Sequence, residues 1–302
     1  MKNLITILGP TATGKTRLAA ALAAVINGEI ISADSRQVYR GMDIGTGKDL
    51  DDYEYNGIKV PYHLIDIVDP GYEYNIFEFQ RDFTSAFNDI ISRGKIPVLA
   101  GGSGMYLDVV LRKYDLVRAP EDPFLRKKLE KLTEEELREK LAGYGNLHNT
   151  TDLLDRKRLI RAIEIREYEK RNPEKVINMP EIDPVNIGVH FDRSVVRQRI
   201  TERLDQRLKH GMIEEVKGLL DSGLKSEQLT FYGLEYKWVT LYLTGEIDYN
   251  EMFQQLNTAI HQFAKRQMTW FRRMEKKGVK IFWVDGNLSL EEKLPAVLQI
   301  IR

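Results

Sequence analysis

The stretch Leu4-Ile5-Thr6-Ile7-Leu8-Gly9-Pro10-Thr11-Ala12-Thr13-Gly14-Lys15-Thr16 decides the fold. Five apolar residues closed by Gly9-Pro10 have the pattern of a buried parallel strand. The next eight fit G-x-x-x-x-G-K-[ST] at every position, and residues 16–26 are rich in alanine and leucine, good helix formers. Strand, glycine loop and helix in that order make a phosphate cradle. Glycines let the backbone wrap an anion, N–H groups at the helix start point at its oxygens, and Lys15 adds charge. The Thr16 hydroxyl can sit on Mg²⁺. Gly9, Pro10, Thr11, Ala12, Thr13, Gly14, Lys15 and Thr16 are therefore the expected diphosphate or nucleotide site, with Thr16 the metal contact.

Outward from this loop, strand signals at 29–33, 65–68 and 96–100 alternate with a helical pattern at 77–93, the signature of a parallel α/β sheet. Beyond Ala119-Pro120 the chain turns charged and strand-free, with 13 basic and 12 acidic residues between 121 and 171. Helices are expected at 124–141 and 153–171, with breaks at Asn172-Pro173 and Met179-Pro180. A strand pattern returns at 185–191, followed by long helices at 194–222 and 249–277 and a last strand at 280–284. The expected fold class is α/β: a P-loop NTPase-like parallel-sheet core over 1–120 and 185–302, with a helical insertion domain at 121–184.

Composition narrows the function. The 302 residues carry 45 Lys+Arg and 45 Asp+Glu, so any nucleic-acid surface must be local. With no cysteine, the chain has no disulfide, thiol nucleophile, iron–sulfur cluster or cysteine-bound zinc. The five histidines show no paired metal spacing. The apolar run at 4–8 is too short for a signal peptide, and residues 18–26 are too few to span a bilayer, which needs about 20. A cytoplasmic monomer with no membrane partner is expected. The loop alone suits a GTP switch, a motor, a small-molecule kinase using ATP, a P-loop RNA-binding module, or an enzyme whose leaving group is diphosphate. The absence of N-K-x-D and D-x-x-G disfavours the switch, and the lack of a clean Walker B acid disfavours the motor.

Longer blocks narrow the choice. Asp34-Ser35-Arg36-Gln37-Val38-Tyr39-Arg40-Gly41-Met42-Asp43-Ile44-Gly45-Thr46 resembles the D-S-x-Q-x-Y-x-G-x-D-I-G-T block of the tRNA dimethylallyltransferases (tRNA isopentenyltransferases). The likeness continues at His63 to Pro70, Gly94 to Tyr106, Arg158 to Glu164 and Ala264 to Arg273, nearly the whole chain. It implies transfer of a dimethylallyl group from dimethylallyl diphosphate to the exocyclic amine of adenosine 37, in tRNAs reading codons that begin with U. The acceptor is a weak nucleophile, so a carboxylate that takes its proton helps. Asp34, just past a strand end, suits that base role and matches the family's base position. Lys15 and Mg²⁺ would neutralise the leaving diphosphate, with Arg207 an added diphosphate contact. Ser103, at the carboxyl end of a strand, would bond the base or the transferred group. It stands where the family usually has threonine, keeping the hydroxyl and losing a methyl. The family's usual G-Y-K-E stretch is likewise altered, to Tyr232-Gly233-Leu234-Glu235-Tyr236-Lys237.

The resemblance also assigns contacts with the tRNA anticodon stem-loop to Asp34, Ser35, Arg36, Gln37 and Ser103, to Arg126, and to Lys157, Arg158, Leu159, Ile160 and Arg161. Acids at Asp152, Asp155 and Glu164 make intrahelical pairing the competing role for that last cluster. Residues 265–280 hold seven basic residues and one acid. Lys265, Arg266 and Arg272 form a ridge that reads equally as a solvated face or an RNA contact. Leu256, Ile260, Phe263, Trp270 and Met274 are the expected buried face of that helix, and helical spacing favours core packing for Trp270 and Phe271 alike.

Overall fold

The computed structural model describes residues 2–145, 155–172 and 179–302. In chain order the elements are β1 (Leu4–Leu8), α1 (Lys15–Ile26), β2 (Gly28–Ala33), β3 (Glu54–Tyr55), β4 (Ile58–Lys59), β5 (Tyr62–His63), α2 (Ile76–Ser92), β6 (Ile96–Gly101) and α3 (Gly104–Leu111). Then follow α4 (Pro123–Leu129), α5 (Glu134–Ala142), α6 (Arg156–Arg171), β7 (Pro184–His190), α7 (Arg193–Lys209), α8 (Met212–Asp221), α9 (Ser226–Tyr232), α10 (Leu234–Leu243), α11 (Tyr249–Lys276), β8 (Ile281–Asp285) and α12 (Leu290–Ile301).

Six strands form one all-parallel sheet in the order β5-β2-β6-β1-β7-β8. Every residue of β1 is buried, as expected for a central strand covered on both faces. α1 buries Leu18 to Ala23 against the sheet, and α12 packs on α1. The register sets Leu8 beside Gly101 and Gly188, and Ala33 beside Gly101. The carboxyl ends of β1, β2, β6 and β7 thus come level, where α/β sheets open ligand crevices.

The structure corrects several sequence expectations. The strand expected at 65–68 is instead Tyr62–His63, paired with Ile30 and Ile31. Leu64 and Asp66 have left-handed backbones, at φ 62° and 55°, which end the extended run there. The helix expected at 124–141 is two, because Thr133 and Glu136 form a capping box that starts α5 anew. The helix expected at 194–222 is also two, parted at Gly211 with φ 101°. For the helix expected from 153, α6 starts at Arg156; residues 153 and 154, Asp152 and Pro173 lie outside the described residues.

The chain divides into two compact units, one of Met1–Lys113 with Pro180–Arg302 and one of Tyr114–Met179. These divisions fall at 113/114 and 179/180 rather than 120/121 and 184/185, for local reasons. The carbonyls of Ala119 and Pro120 accept from Arg161 of α6. Glu181 and Asp183 bond to Asn3, beside β1. The second unit has its own small core of Leu129, Leu137, Leu141, Leu159, Ile160 and Ile163.

Candidate active site

The loop after β1 wraps tightly because little else would fit. A Cβ on Gly9 would lie 2.9 Å from Thr13 Oγ1 and 3.1 Å from the Val189 carbonyl. Ala12 and Gly14 have left-handed φ of 64° and 73°, and Thr13 Oγ1 donates to the Pro10 carbonyl at 2.8 Å. The loop is also braced by residues distant in sequence. Gln267 of α11, buried, accepts from Thr11 N and donates to the Gly102 carbonyl, both at 2.8 Å. It therefore ties the loop after β1 to the end of β6. Arg199 Nε donates to the Ala12 carbonyl at 2.8 Å, and Arg203 donates to the Thr11 hydroxyl.

Lys15 opens α1, and burial pushes its pKa down to about 8; Asp34 opposes this, while Arg203 and Arg207 add to it. Burial and then Arg207 push Arg203 down to about 9, against Glu235, Asp49 and Asp34. Glu235, at the start of α10, is pushed up by burial, with Arg207 and Arg203 opposing. Lys15, Arg203 and Arg207 thus act on one another, and at Lys15 and Arg203 burial outweighs the opposing acids Asp34, Asp49 and Glu235, which favours a bound anion. The guanidinium of Arg207 is held in the protein, its Nη2 3.5 Å from Asp49 and against Gly47, where a Cβ would come within 2.3 Å of the same nitrogen.

That glycine belongs to a loop fixed by one side chain. Glu215 of α8 accepts from the backbone N–H groups of Asp43 (2.9 Å), Ile44 (2.6 Å) and Gly45 (3.1 Å), and from the Tyr236 hydroxyl at 2.6 Å. Lys48, buried, closes the loop with Asp43, Asp66 and the Tyr39 carbonyl.

Asp34 follows β2 directly and caps its own turn, Oδ1 accepting from Arg36 N at 3.0 Å. Ser103 Oγ accepts from Ser35 N at 2.9 Å and lies 3.3 Å from Ser35 Oγ, while Ser103 N donates to the Ala33 carbonyl. Its hydroxyl therefore supports the turn that carries Asp34. Burial pushes the Tyr53 and Tyr106 phenols well above their usual range, and the Asp34 charge adds to both. Tyr106 stacks on Phe79 at 3.8 Å.

The remaining residues singled out in the sequence are in different situations. The Arg36 guanidinium lies 5.5 Å over the Tyr232 ring. Gln37 is buried, its amide bonded to Ser32 and the Gly47 carbonyl. On the smaller unit, Glu164 takes Arg126 in a bidentate pair at 2.7 and 2.9 Å and Arg161 at 3.1 Å. Leu159 and Ile160 lie in that unit's core, which leaves Lys157 and Arg158 as the exposed cations of the cluster. On α11, Lys265, Arg266 and Arg272 are exposed. Its buried face is not quite the expected one: Ala264, Gln267 and Phe271 are buried, whereas Phe263 and Trp270 are half-buried. The helix is rotated so that Gln267 reaches the phosphate loop, and Trp270 packs against Gly104 instead. Arg199, Arg203 and Glu215 were not singled out by the sequence; Glu235 and Gln267 lie within family-like stretches named above, but no role was assigned to either.

The chain matches the IPP transferase family over residues 37–274 and the isopentenyl transferase family over residues 2–63. It is 56% identical to tRNA dimethylallyltransferase 2 of Bacteroides fragilis over 300 residues, 99% of this chain and 98% of that protein. It is 58% identical to tRNA dimethylallyltransferase 1 of Geotalea daltonii, covering 94% and 91% of the two chains. Among solved structures, the tRNA isopentenylpyrophosphate transferase of Bacillus halodurans superposes with a TM-score of 0.73 at 33% identity, over 100% of this chain and 96% of that one. A eukaryotic dimethylallyltransferase acting on tRNA gives a TM-score of 0.76 at 25% identity, over 95% and 74% of the two chains.

Proposed function

The chain belongs to the IPP transferase family, and from that premise we propose that it transfers the dimethylallyl group of dimethylallyl diphosphate to the exocyclic amine of adenosine 37 in tRNAs reading codons that begin with U. The observation that carries this reading is the placement of Asp34, just past β2, level with the phosphate loop after β1 at the carboxyl end of the sheet, where its charge acts on Lys15. A kinase would use the cations and could use a carboxylate base as well; membership of the IPP transferase family favours prenyl transfer over phosphoryl transfer.

In this reading the backbone of residues 9–16, with Lys15, Arg203 and Arg207, holds the diphosphate. The amine nitrogen attacks C1 of the dimethylallyl group, the C1–O bond breaks, its electron pair leaves with diphosphate, and Asp34 takes the amine proton. Tyr53 and Tyr106 are suited to flank the prenyl group, since aromatic faces favour the positive character it gains as the bond breaks. The adenosine would leave its stack to reach the site. Lys157, Arg158, Lys265, Arg266 and Arg272 supply the exposed charge for the RNA backbone. Ser35 and Ser103 steady the turn of the base.

A divalent ion suits the donor set. Thr16 offers a hydroxyl with no hydrogen bond among the described residues, and those residues hold no cluster of three acids or histidines that could bind a metal unaided. Thr16 and the substrate's own phosphate oxygens would hold Mg²⁺, which neutralises leaving-group charge when bound. No helix among the described residues is long and apolar enough to cross a membrane, and we place the enzyme with its tRNA in the cytoplasm. The test is mass spectrometry of tRNA incubated with the protein, Mg²⁺ and dimethylallyl diphosphate. One dimethylallyl mass on an adenosine next to the anticodon supports the reading. Unmodified tRNA, with ATP-dependent phosphorylation of a small metabolite instead, overturns it.

A further inference from the structure

Between α7 and α11, beside Pro10, lies a second cavity of 550 Å³ that the proposed reaction does not use. Arg193, Arg197, Lys265 and Arg272 line it, and no aspartate or glutamate does. None of the four forms an ion pair among the described residues. Cations with structural roles elsewhere meet carboxylates, as Arg126 meets Glu164 and Lys48 meets Asp43. Four unneutralised cations around one hollow repel each other, and an anion would relieve that. The floor is apolar: Phe191, Val196, Ile200 and Ala264 are buried beneath it, with the flexible Met268 alongside. Thr258, His261, Gln262 and Thr269 add hydrogen-bonding groups to its wall.

A bare phosphate would leave the floor without a partner, and a purely apolar ligand would leave the cations without one. We propose that this cavity binds a nucleoside phosphate, its base on the apolar floor and its phosphate among the arginines. The volume lies within the range for small-molecule sites, roughly 300–1,000 Å³. Lys265 and Arg272 also belong to the exposed ridge of α11, so the continuity of the surface favours a nucleotide of the tRNA chain other than the target adenosine; a free mononucleotide has the same chemistry. Only the choice of source rests on the tRNA reading above.

The test uses the double variant Arg193→Gln/Arg197→Gln, both exposed positions outside the reaction site, after its Tm has been shown to match wild type. Two probes are titrated: a synthetic anticodon stem-loop, across a salt series, and adenosine 5′-monophosphate, followed by the imidazole NMR signals of His190 and His261. The proposal expects the stem-loop Kd to rise about tenfold and the log Kd–log salt slope to flatten by roughly one unit, with kcat and the KM for dimethylallyl diphosphate unchanged. Loss of adenosine monophosphate binding with unchanged stem-loop affinity identifies the free nucleotide as the source. No change with either probe overturns the proposal. A wild-type protein that fails to prenylate tRNA would instead sink the functional reading and leave the mononucleotide titration to judge the cavity.

Discussion

Asp34 and Lys15 divide the proposed chemistry between one carboxylate and one ammonium. Asp34→Asn keeps an oxygen to accept from Arg36 N and so should keep the turn, but it cannot take a proton. Single-turnover prenylation should slow about 10²- to 10⁴-fold, the usual contribution of a general base, while tRNA affinity stays within a few-fold. Turnover near the wild-type rate would remove Asp34 as the base. Lys15 makes a different prediction. Its pKa of about 8 means that the unliganded lysine loses its charge just above neutrality. The gain in inorganic diphosphate affinity of wild type over Lys15→Met, in which the ligand's own titration cancels, should be full at pH 6 and fall as the pH rises through 8. The sign for stability is opposite. Below pH 8 the folded protein carries a lysine charge that burial disfavours; between pH 8 and the unfolded value of 10.5 the unfolded chain binds more protons, so the unliganded protein gains stability there. A melting curve in which Lys15→Met and wild type follow the same pH profile would contradict the assignment.

Among the elements, the loop from Asp43 to Lys48 shows best what local sequence can and cannot convey. Its D-I-G-T pattern is legible, but its anchor is Glu215, which lies some 170 residues further on and looks like any exposed helix-start acid. Glu215→Ala would leave three backbone N–H groups and the Tyr236 hydroxyl without an acceptor, at about 1.5–3 kcal/mol for each such bond that water does not replace. Because the loop backs Arg207, the KM for dimethylallyl diphosphate should rise more than kcat falls, with Glu215→Gln recovering part of both. Equal stability and KM in Glu215→Ala would show that the loop holds itself. The broken helices follow the same logic. Apolar periodicity continues past Gly211 and reads as one helix running through it; the left-handed backbone there shows that the helix stops. The strand placed at 65–68 failed because alternating apolar residues report burial, whereas pairing with β2 fell to Tyr62 and His63.

For the whole molecule, the parallel sheet and the phosphate loop were legible because both are written in contiguous residues with a fixed period. The cations of the site were only partly so. Lys15 sits in its motif and Arg207 was singled out, whereas Arg203, Arg199 and Gln267 reach the loop only once α7 and α11 have packed beside it. The charges proposed to meet RNA were legible as clusters, but whether a cation is free depends on its partners: Glu164 occupies Arg126 and Arg161, whereas no acid among the described residues pairs with Lys265, Arg266 or Arg272. Lys265→Ala with Arg272→Ala should therefore weaken tRNA binding and flatten its salt dependence by about one to two units, one per lost phosphate contact. An unchanged slope would make the ridge ordinary solvated surface.

The central claim is that the phosphate loop serves a diphosphate leaving group rather than a transferred phosphate. The most direct measurement counts products in one reaction containing tRNA, dimethylallyl diphosphate, Mg²⁺ and ATP. The account predicts one diphosphate released for each dimethylallyl adenosine formed, with ATP left intact. ATP consumed while the tRNA stays unmodified would contradict it.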